Sequence, residues 1–356
     1  MRRRDLLAAG GALVGGSLMA GCLERLGFQT QSAWRDPPLV EDRPDGVYYP
    51  ALVEGMGLYG TSTDRDLGFA LFYSFPHRFW NLTGSRRTKV VVRPEDSLHL
   101  MASVWDTATE TVLPVDLSAE ITDEAGETKT TNLWPMLSPN MGFHYGDNVA
   151  LPGAGDYEIT LEVGPLQTDR TEPFSGQFRD RRSATMTVHF DPSETYALDI
   201  ERLGEQAGKR GTVELMELEQ VPAPTVPPAS ELPGRLLHEG GSGDAKLLVG
   251  LVDGESRFRE GSGPYLYVSP RTPYNRVMLP RMSLAATIER DGGPNTTTDL
   301  RATIDPELGV FYGVPLEAIV NGDTVSIEVQ TPPQVSRHDG YETAFLEMPP
   351  IEFTVG

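Results

Sequence analysis

One segment of this 356-residue chain occurs twice, and that repetition constrains the fold more than any single motif does. The first copy reads Phe143-His144-Tyr145-Gly146-Asp147-Asn148-Val149, then Gly155-Asp156-Tyr157 and the alternating run to Val163. The second reads Val310-Phe311-Tyr312-Gly313-Val314, then Gly322-Asp323 and a matching run to Val329. Aligned on Tyr-Gly and on Gly-Asp, the copies keep one offset and set His144 opposite Phe311. Further matches extend the pattern. Leu52-Val53-Glu54-Gly55 matches Leu237-His238-Glu239-Gly240, and Gly164-Pro165 matches Pro332-Pro333. Leu100 to Val104 matches Leu284 to Ile288, which places His99 opposite Ser283. An ordered set of this kind indicates duplication of one structural unit. An imidazole in only one copy suggests that one half does chemistry and the other supports it.

Each unit reads as β-structure. Thr88 to Val92, Leu98 to Trp105, Leu117 to Ile121, Tyr157 to Val163 and Ala184 to Phe190 are short apolar alternations. Turn signals such as Asp123-Glu124-Ala125-Gly126 and Pro152-Gly153 separate them. Strands at this close spacing predict an all-β antiparallel sandwich rather than α/β layers. The expected division is a signal at 1–22, a tether at 23–47, a sandwich at 48–195, a Pro-rich linker at 196–230 and a second sandwich at 231–356. A short helix is expected around Leu203 to Ala207, before the semi-rigid Val221-Pro222-Ala223-Pro224 stretch.

The N-terminal residues read as an export signal. Arg2-Arg3-Arg4-Asp5-Leu6-Leu7 is a twin-arginine start, and the apolar run ends in a lipobox-like Leu18-Met19-Ala20-Gly21-Cys22. That run is too short for a permanent span. Cys22 is the only cysteine, which excludes an intrachain disulfide and fits lipidation after cleavage. The expectation is a protein anchored by lipid to the outer face of the cell membrane. Its net charge of −21 excludes nucleic acid as a partner by repulsion of phosphates. The surplus of acid, with lysine nearly absent, resembles proteins of salt-loving archaea, where salt screens self-repulsion. Asn81-Leu82-Thr83 and Asn295-Thr296-Thr297 are glycosylation sequons.

The chemistry-bearing residues concentrate in the first unit. His99 and Met101 share one face of a strand by their spacing. Met136 lies in Trp134-Pro135-Met136, a few residues before His144. Imidazole with thioether is a donor set that favours copper, Cu(I) above all, over calcium or magnesium. The plainer reading is that these methionines fill the core and these histidines are hydrogen-bonded within it. His77, in Phe75-Pro76-His77-Arg78-Phe79-Trp80, reads as structural, as do His189 and His238. There is no Gly-x-Ser-x-Gly elbow, phosphate-cradling glycine loop or His-Glu-x-x-His motif, so no enzymatic reading gains support.

The run Trp134-Pro135-Met136, His144-Tyr145-Gly146-Asp147-Asn148, Gly155-Asp156-Tyr157 and Gly164-Pro165 resembles the periplasmic iron-transport-associated family. Those are copper-binding, immunoglobulin-like proteins and lipoproteins that assist iron uptake beside a membrane permease. The resemblance implies His99, Met136 and His144 as metal ligands. Met101 stands where the family has glutamate. The family's third histidine follows a Pro-Pro pair, and here that pattern occurs only in the second unit, as Pro332-Pro333 and then Arg337-His338. The implied ligands are therefore split between the units, with Met101 and His338 as conditional members. Glu54 and Met56 lie near an acidic position of the family. Iron would need oxygen donors, for which Asp147, Glu54 and Glu342 are candidates.

The expectation is two immunoglobulin-like sandwiches in tandem, binding copper and iron, with an iron permease as partner. The second unit would pair with the first inside a monomer. The competing expectation is a metal-free tandem surface module for protein–protein contact in the cell envelope. Convergence of His99, Met136 and His144 on one rim separates the two.

Overall fold

Along Tyr157–Val163 the apolar and polar residues alternate, and the fold uses that alternation directly. Tyr157, Ile159, Leu161 and Val163 are buried, while Glu158 and Glu162 between them face solvent. A computed structural model describes residues 37–258 and 263–356. The signal and Cys22 lie outside the described residues. Among the described residues no helix is long and apolar enough to cross a membrane.

The fold is all-β, and among the described residues helical turns are short and lie at connections. The first repeat contributes β1 (Leu52–Glu54), β2 (Gly57–Asp64), β3 (Leu67–Ser74), β4 (Phe79–Thr83), β5 (Arg86–Val90) and β6 (Leu98–Asp106). It continues with β7 (Leu117–Asp123), β8 (Thr128–Ser138), β9 (Gly142–Val149), β10 (Gly155–Val163), β11 (Asp169–Arg170) and β12 (Arg182–Phe190). A single helical turn, α1 (Pro192–Tyr196), is capped by the Asp191 carboxylate, which accepts from the Ser193 amide. After β13 (Ile200–Arg202) come β14 (Arg235–Ser242), β15 (Ala245–Val252), β16 (Tyr265–Arg271), β17 (Ser283–Glu289) and β18 (Thr296–Asp305). The last strands are β19 (Gly309–Pro315), β20 (Thr324–Thr331), β21 (Ser336–Arg337) and β22 (Ile351–Thr354).

The two large sheets follow one path. The first runs β12-β10-β7-β8-β9-β6-β3-β2, and the second runs β22-β20-β17-β18-β19-β16-β15-β14. In each, one long strand changes layer midway. Thr128–Leu133 of β8 pairs with β7, and Trp134–Ser138 pairs with β9. In β18 the same switch falls between Leu300 and Arg301. Between the layers a buried tyrosine sits at matching places. The Tyr145 hydroxyl donates to Leu113 O at 2.8 Å, and that of Tyr312 to Leu279 O at 3.2 Å.

Register now gives the correspondence residue by residue. Opposite Gly146 lies Met101, and opposite Gly313 lies Tyr267. His99 faces Asn148, and Tyr265 faces Pro315. The counterpart of His99 is therefore Tyr265, not Ser283, because β17 corresponds to β7 and β16 to β6. Likewise β14 corresponds to β2 rather than to Leu52–Glu54. Strands of one sandwich share the same alternation, so a string match can slip by a strand. The slip arose where the first repeat carries the hairpin β4–β5 within residues 75–97, for which the described residues between β15 and β16 of the second show no counterpart.

The repeats also trade strands. β21 of the second pairs in parallel with β8 of the first, Ser336 beside Met136. Reciprocally, β11 of the first pairs in parallel with β18 of the second, Asp169 beside Thr303. The following amides repeat the match: His338 N donates to Leu137 O at 3.0 Å, and Thr171 N to Ile304 O at 3.1 Å.

Residues 196–230 are not a free spacer. β13 pairs with β1, Arg210 bridges Tyr48, the Met216 amide donates to Asn140 O and Thr225 bridges Val277. The short helix expected at Leu203 to Ala207 is only a 3-10 turn at Gly204–Gln206.

The end of the expected tether is likewise pinned. The fully buried Glu342 carboxylate accepts from Arg43 Nε at 2.6 Å, the Tyr48 hydroxyl at 2.7 Å and the Gly340 amide at 3.0 Å. Removing that acceptor leaves three donors without a partner. Glu342→Ala should cost about 3 kcal/mol of stability by the usual cost of breaking a buried ion pair. Chemical denaturation checks it, and an unchanged midpoint would show that water replaces the carboxylate freely.

Candidate metal centre

β6 is buried along its whole length, so both of its faces are covered. Leu98, Leu100, Ala102 and Val104 face the interior of the first sandwich, where Tyr145 and Phe143 of β9 meet them. The alternate residues, His99 and Met101, face the other way, together with His144, Gly146 and Asn148 of β9 and Met136 of β8. β8 extends that layer through β21 to β4 and β5, which brings His338 and His77 onto the same face.

The result is a cluster of four imidazoles and one thioether. One ring nitrogen each from His77, His99 and His338 lie within 4.8 Å of one another, a group able to hold a metal ion. The rings of His144 and His338 are 5.2 Å apart. His338 Nε2 is 3.2 Å from Met136 Sδ, and His77 Nε2 is 3.0 Å from His338 Nδ1. His99, His144 and Met136 are at most 1% exposed.

Two of the rings are held by their outer nitrogens. His144 Nδ1 donates to Gly142 O at 3.0 Å, and His99 Nδ1 donates to Asn148 Oδ1 at 2.9 Å. The Asn148 amide is oriented in turn, since its Nδ2 donates to His77 O at 2.9 Å. Each ring therefore turns an unprotonated Nε2 inward. Both Nε2 atoms are buried and lack a hydrogen-bond partner. Leaving a buried acceptor unpaired costs about 1–3 kcal/mol, so two of them on one face imply a ligand that is not a proton donor of the protein. A lone pair aimed inward with the other nitrogen anchored is the usual arrangement of a metal-binding histidine.

Gly146 is part of the same construction. A Cβ at that position would lie 2.7 Å from His99 Nε2, so any side chain there would displace the ring. The pattern recurs at Gly313, whose Cβ would meet the Tyr265 ring at 2.5 Å.

Electrostatics keeps the cluster neutral. Burial pushes His144 down to about 4 and holds His99 and His338 well below the ordinary imidazole value, with neighbouring imidazoles adding to the effect. His77 differs. Burial works against its proton, but the Glu54 carboxylate, 2.8 Å from Nδ1, with Phe75 O also accepting, raises it overall. Asp339 pairs with Arg78 at 2.6 Å and so closes the cover rather than facing the rings.

Of the residues singled out by sequence, His99, Met136, His144 and His338 converge. Met101 shares their face but lies across from Phe72 and within the apolar core. Among the oxygen donors, Glu54 reaches the cluster through His77. Asp147 sits on the opposite face of β9, beside Thr131, and Glu342 is engaged by Arg43 and Tyr48. His77 belongs to the cluster although its sequence context reads as structural. Its place depends on β4 pairing with β21, a contact between residues far apart in the chain. His189 is exposed at a strand end and pairs with Asp156, and His238 stacks on Phe353 in the second repeat.

Residues 108–199 match the model of the Fe2+ transport protein family, which bears out the resemblance read in the sequence. Residues 230–354 match a domain of unknown function, DUF7350. No curated protein matches the chain. Among solved structures, FetP of uropathogenic Escherichia coli is similar at 15% identity and a TM-score of 0.28, over 39% of this chain and 95% of that one. A copper-bound variant of FetP gives 16% and 0.29, over 38% and 97%. Copper-reconstituted P19 of Campylobacter jejuni gives 17% and 0.30, over 39% and 96%.

The depressed imidazoles make stability of the metal-free protein pH-dependent. Their folded values lie below the unfolded one, so the unfolded chain binds more protons in acid. The contribution of His99, His144 and His338 is constant above about 6.5, the ordinary imidazole value, and stability falls as pH drops below it toward their folded values; the raised His77 works the other way, its contribution being lost as pH rises past its folded value. His144→Gln should flatten that fall by close to one proton, as read from denaturation midpoints across the range. An unchanged slope would mean that His144 titrates normally.

Proposed function

With residues 108–199 matching the Fe2+ transport protein family, we propose that this chain is an extracytoplasmic, lipid-anchored metal-binding protein of iron uptake, and that its centre takes copper. The observation that carries the reading is the pair of buried, partnerless Nε2 atoms of His99 and His144 facing the same space as Met136 Sδ and the His338 ring.

The donor set supports copper. Neutral imidazoles and a thioether suit a soft or borderline ion, and such ligands lie outside what magnesium and calcium prefer. Charge points the same way. The cost of placing an ion in a buried site grows steeply with its charge, and among the described residues Glu54 is the carboxylate paired with a ring of the cluster. A monovalent ion leaves little charge uncompensated there. Bound copper would supply a redox-capable ion; His99, His144, His338 and Met136 would hold it, and Glu54 would set the orientation of His77. Iron as cargo calls for oxygen donors, and Glu54 is the one in place. The lipid anchor on Cys22 and a membrane permease as recipient complete the proposed role.

Titration of the soluble fragment from residue 23 with copper, under reducing and oxidising conditions, tests the assignment. One ion per chain should bind. His144→Ala and His338→Ala should each weaken it by at least about 100-fold, the upper range for disturbing even the outer partners of a metal site. Gly146→Ala should weaken binding while leaving the fold intact, because its Cβ competes with His99 Nε2. Loss in His144→Ala with none in His338→Ala would confine the site to the first repeat. Absence of binding in the unaltered fragment would remove the reading altogether.

A further inference from the structure

Register assigns the second repeat a position equivalent to the centre, and the contents there are different. Tyr265 stands for His99, Tyr267 for Met101, Phe311 for His144, Thr303 for Met136 and Thr171 for His338. Tyr267 and Phe311 are fully buried and pack with Phe258, so rings fill the space that imidazoles and thioether surround in the first repeat. Among the described residues no counterpart of the hairpin that closes the first site is present here. In its place a cleft of about 900 Å³ opens beside Tyr265, with Thr171, Thr303, Arg170, Arg179 and Arg301 on its walls.

Three guanidiniums in one cleft are anomalous for a chain with 51 acidic and 30 basic residues. The facing carboxylates do not account for them. Asp169 lies 3.6 Å from Arg301, a pair exposed to solvent on both sides, and Asp299 accepts from Gln330. Arg257 nearby is already matched by Asp305 and Glu307. Arg179 has no hydrogen-bond or ion-pair partner among the described residues. Arg170 is tied by Nη2 to the carbonyls of Leu166 and Phe178, but its buried Nε is unpartnered. Burial and the nearness of Arg179 together lower the Arg170 guanidinium below its ordinary range. Asp169 offsets part of the charge on Arg170 and Arg301, but three guanidiniums face only Asp169 and Asp299 on these walls, and the surplus positive charge is stabilised by an anion.

We propose that this cleft binds a small organic polycarboxylate. Guanidinium forks match carboxylates in bidentate geometry. The volume exceeds what a single inorganic oxyanion occupies and falls in the range of pockets for small organic ligands. Tyr265 and Phe258 offer an apolar wall for the carbon skeleton, while the hydroxyls of Thr171 and Thr303 are spent on Asp305 and Arg301 O and leave the guanidiniums as the donors for carboxylates. The site shares no residue with the metal centre, so it stands or falls separately from the copper assignment.

Isothermal titration of the metal-free fragment with citrate, at about 0.15 M ionic strength where charges still act over about 8 Å, provides the test. One citrate per chain should bind, and Arg179→Gln and Arg301→Gln should each weaken it about tenfold or more, the effect of losing one charge-assisted contact. Both side chains are exposed, so folding should survive. Arg235→Gln, away from the cleft, and His144→Ala should leave binding unchanged. No heat with citrate would overturn the proposal. So would an equal loss in Arg235→Gln, which would mean general charge attraction, or loss in His144→Ala, which would move the anion to the metal centre. Inorganic phosphate binding as tightly as citrate would also overturn it, by showing a site for any small oxyanion.

Discussion

Ser336 and Arg337 lie in parallel register with Met136 and Leu137, and the imidazole cluster follows from that short junction. The backbone there is held by more than its ladder. Arg337 is fully buried, and among the described residues no carboxylate pairs with it; its guanidinium donates to Val335 O and, at 2.9 Å, to Pro333 O. Burial lowers it to about 9. A charge withdrawn from solvent is costly unless its donors are met, and here main-chain carbonyls meet both terminal nitrogens while the buried Nε has no partner. The donors wrap the Pro332–Val335 segment around the guanidinium and leave one geometry for the residue that follows β21. That residue is His338, so a structural cation positions an imidazole without touching it.

The same junction makes the two repeats depend on one another. Each lends two residues to the long layer-switching strand of the other, and each loan ends on a matching amide-to-carbonyl bond. What differs is the cover. In the first repeat β4 and β5 continue the borrowed strand into a hairpin, with Phe79 edge-on to His99 and Arg78 fastened to Asp339. That hairpin brings in His77 and excludes water. Without it, the second repeat's face stays open as the arginine-lined cleft. Closure and opening at one topological position thus arise from one hairpin present or missing, on the same sheet path.

Much of this was legible in the residues themselves. Period-two alternation, Tyr-Gly and Gly-Asp anchors gave the sandwich class and the repeat, since both rest on local pattern. His99, Met136 and His144 sit on adjacent paired strands, so spacing and family resemblance sufficed to group them. His338 was accessible through its Pro-Pro and Arg-His context, though not the reason it arrives, which is strand exchange across some 200 residues, from Met136 to His338. His77 was not legible, because nothing near it in sequence foretells β4 pairing with β21. The counterpart of His99 was misaligned for a related reason: similar strands match one another, and only hydrogen-bond register distinguishes β16 from β17. Met101 has the right face and the wrong neighbours, a distinction carried by packing rather than by period.

The second repeat answers the plainer interpretation of the first. The space that the imidazoles surround can also be filled, and this chain shows how: in the second repeat Tyr267, Phe311 and Phe258 occupy it with rings beside the arginine-lined cleft, and Thr171 meets the Asp305 carboxylate at 2.6 Å. On the equivalent face of the first repeat, four imidazoles and a thioether stand together, with two buried lone pairs unmet. Their burial costs free energy that an apolar filling of the same backbone avoids. Both arrangements occur on one scaffold within one chain, so the scaffold itself does not demand the costly one. What makes the costly arrangement intelligible is a ligand for the nitrogens, and a soft cation is the kind that their neutrality and the nearby sulfur select.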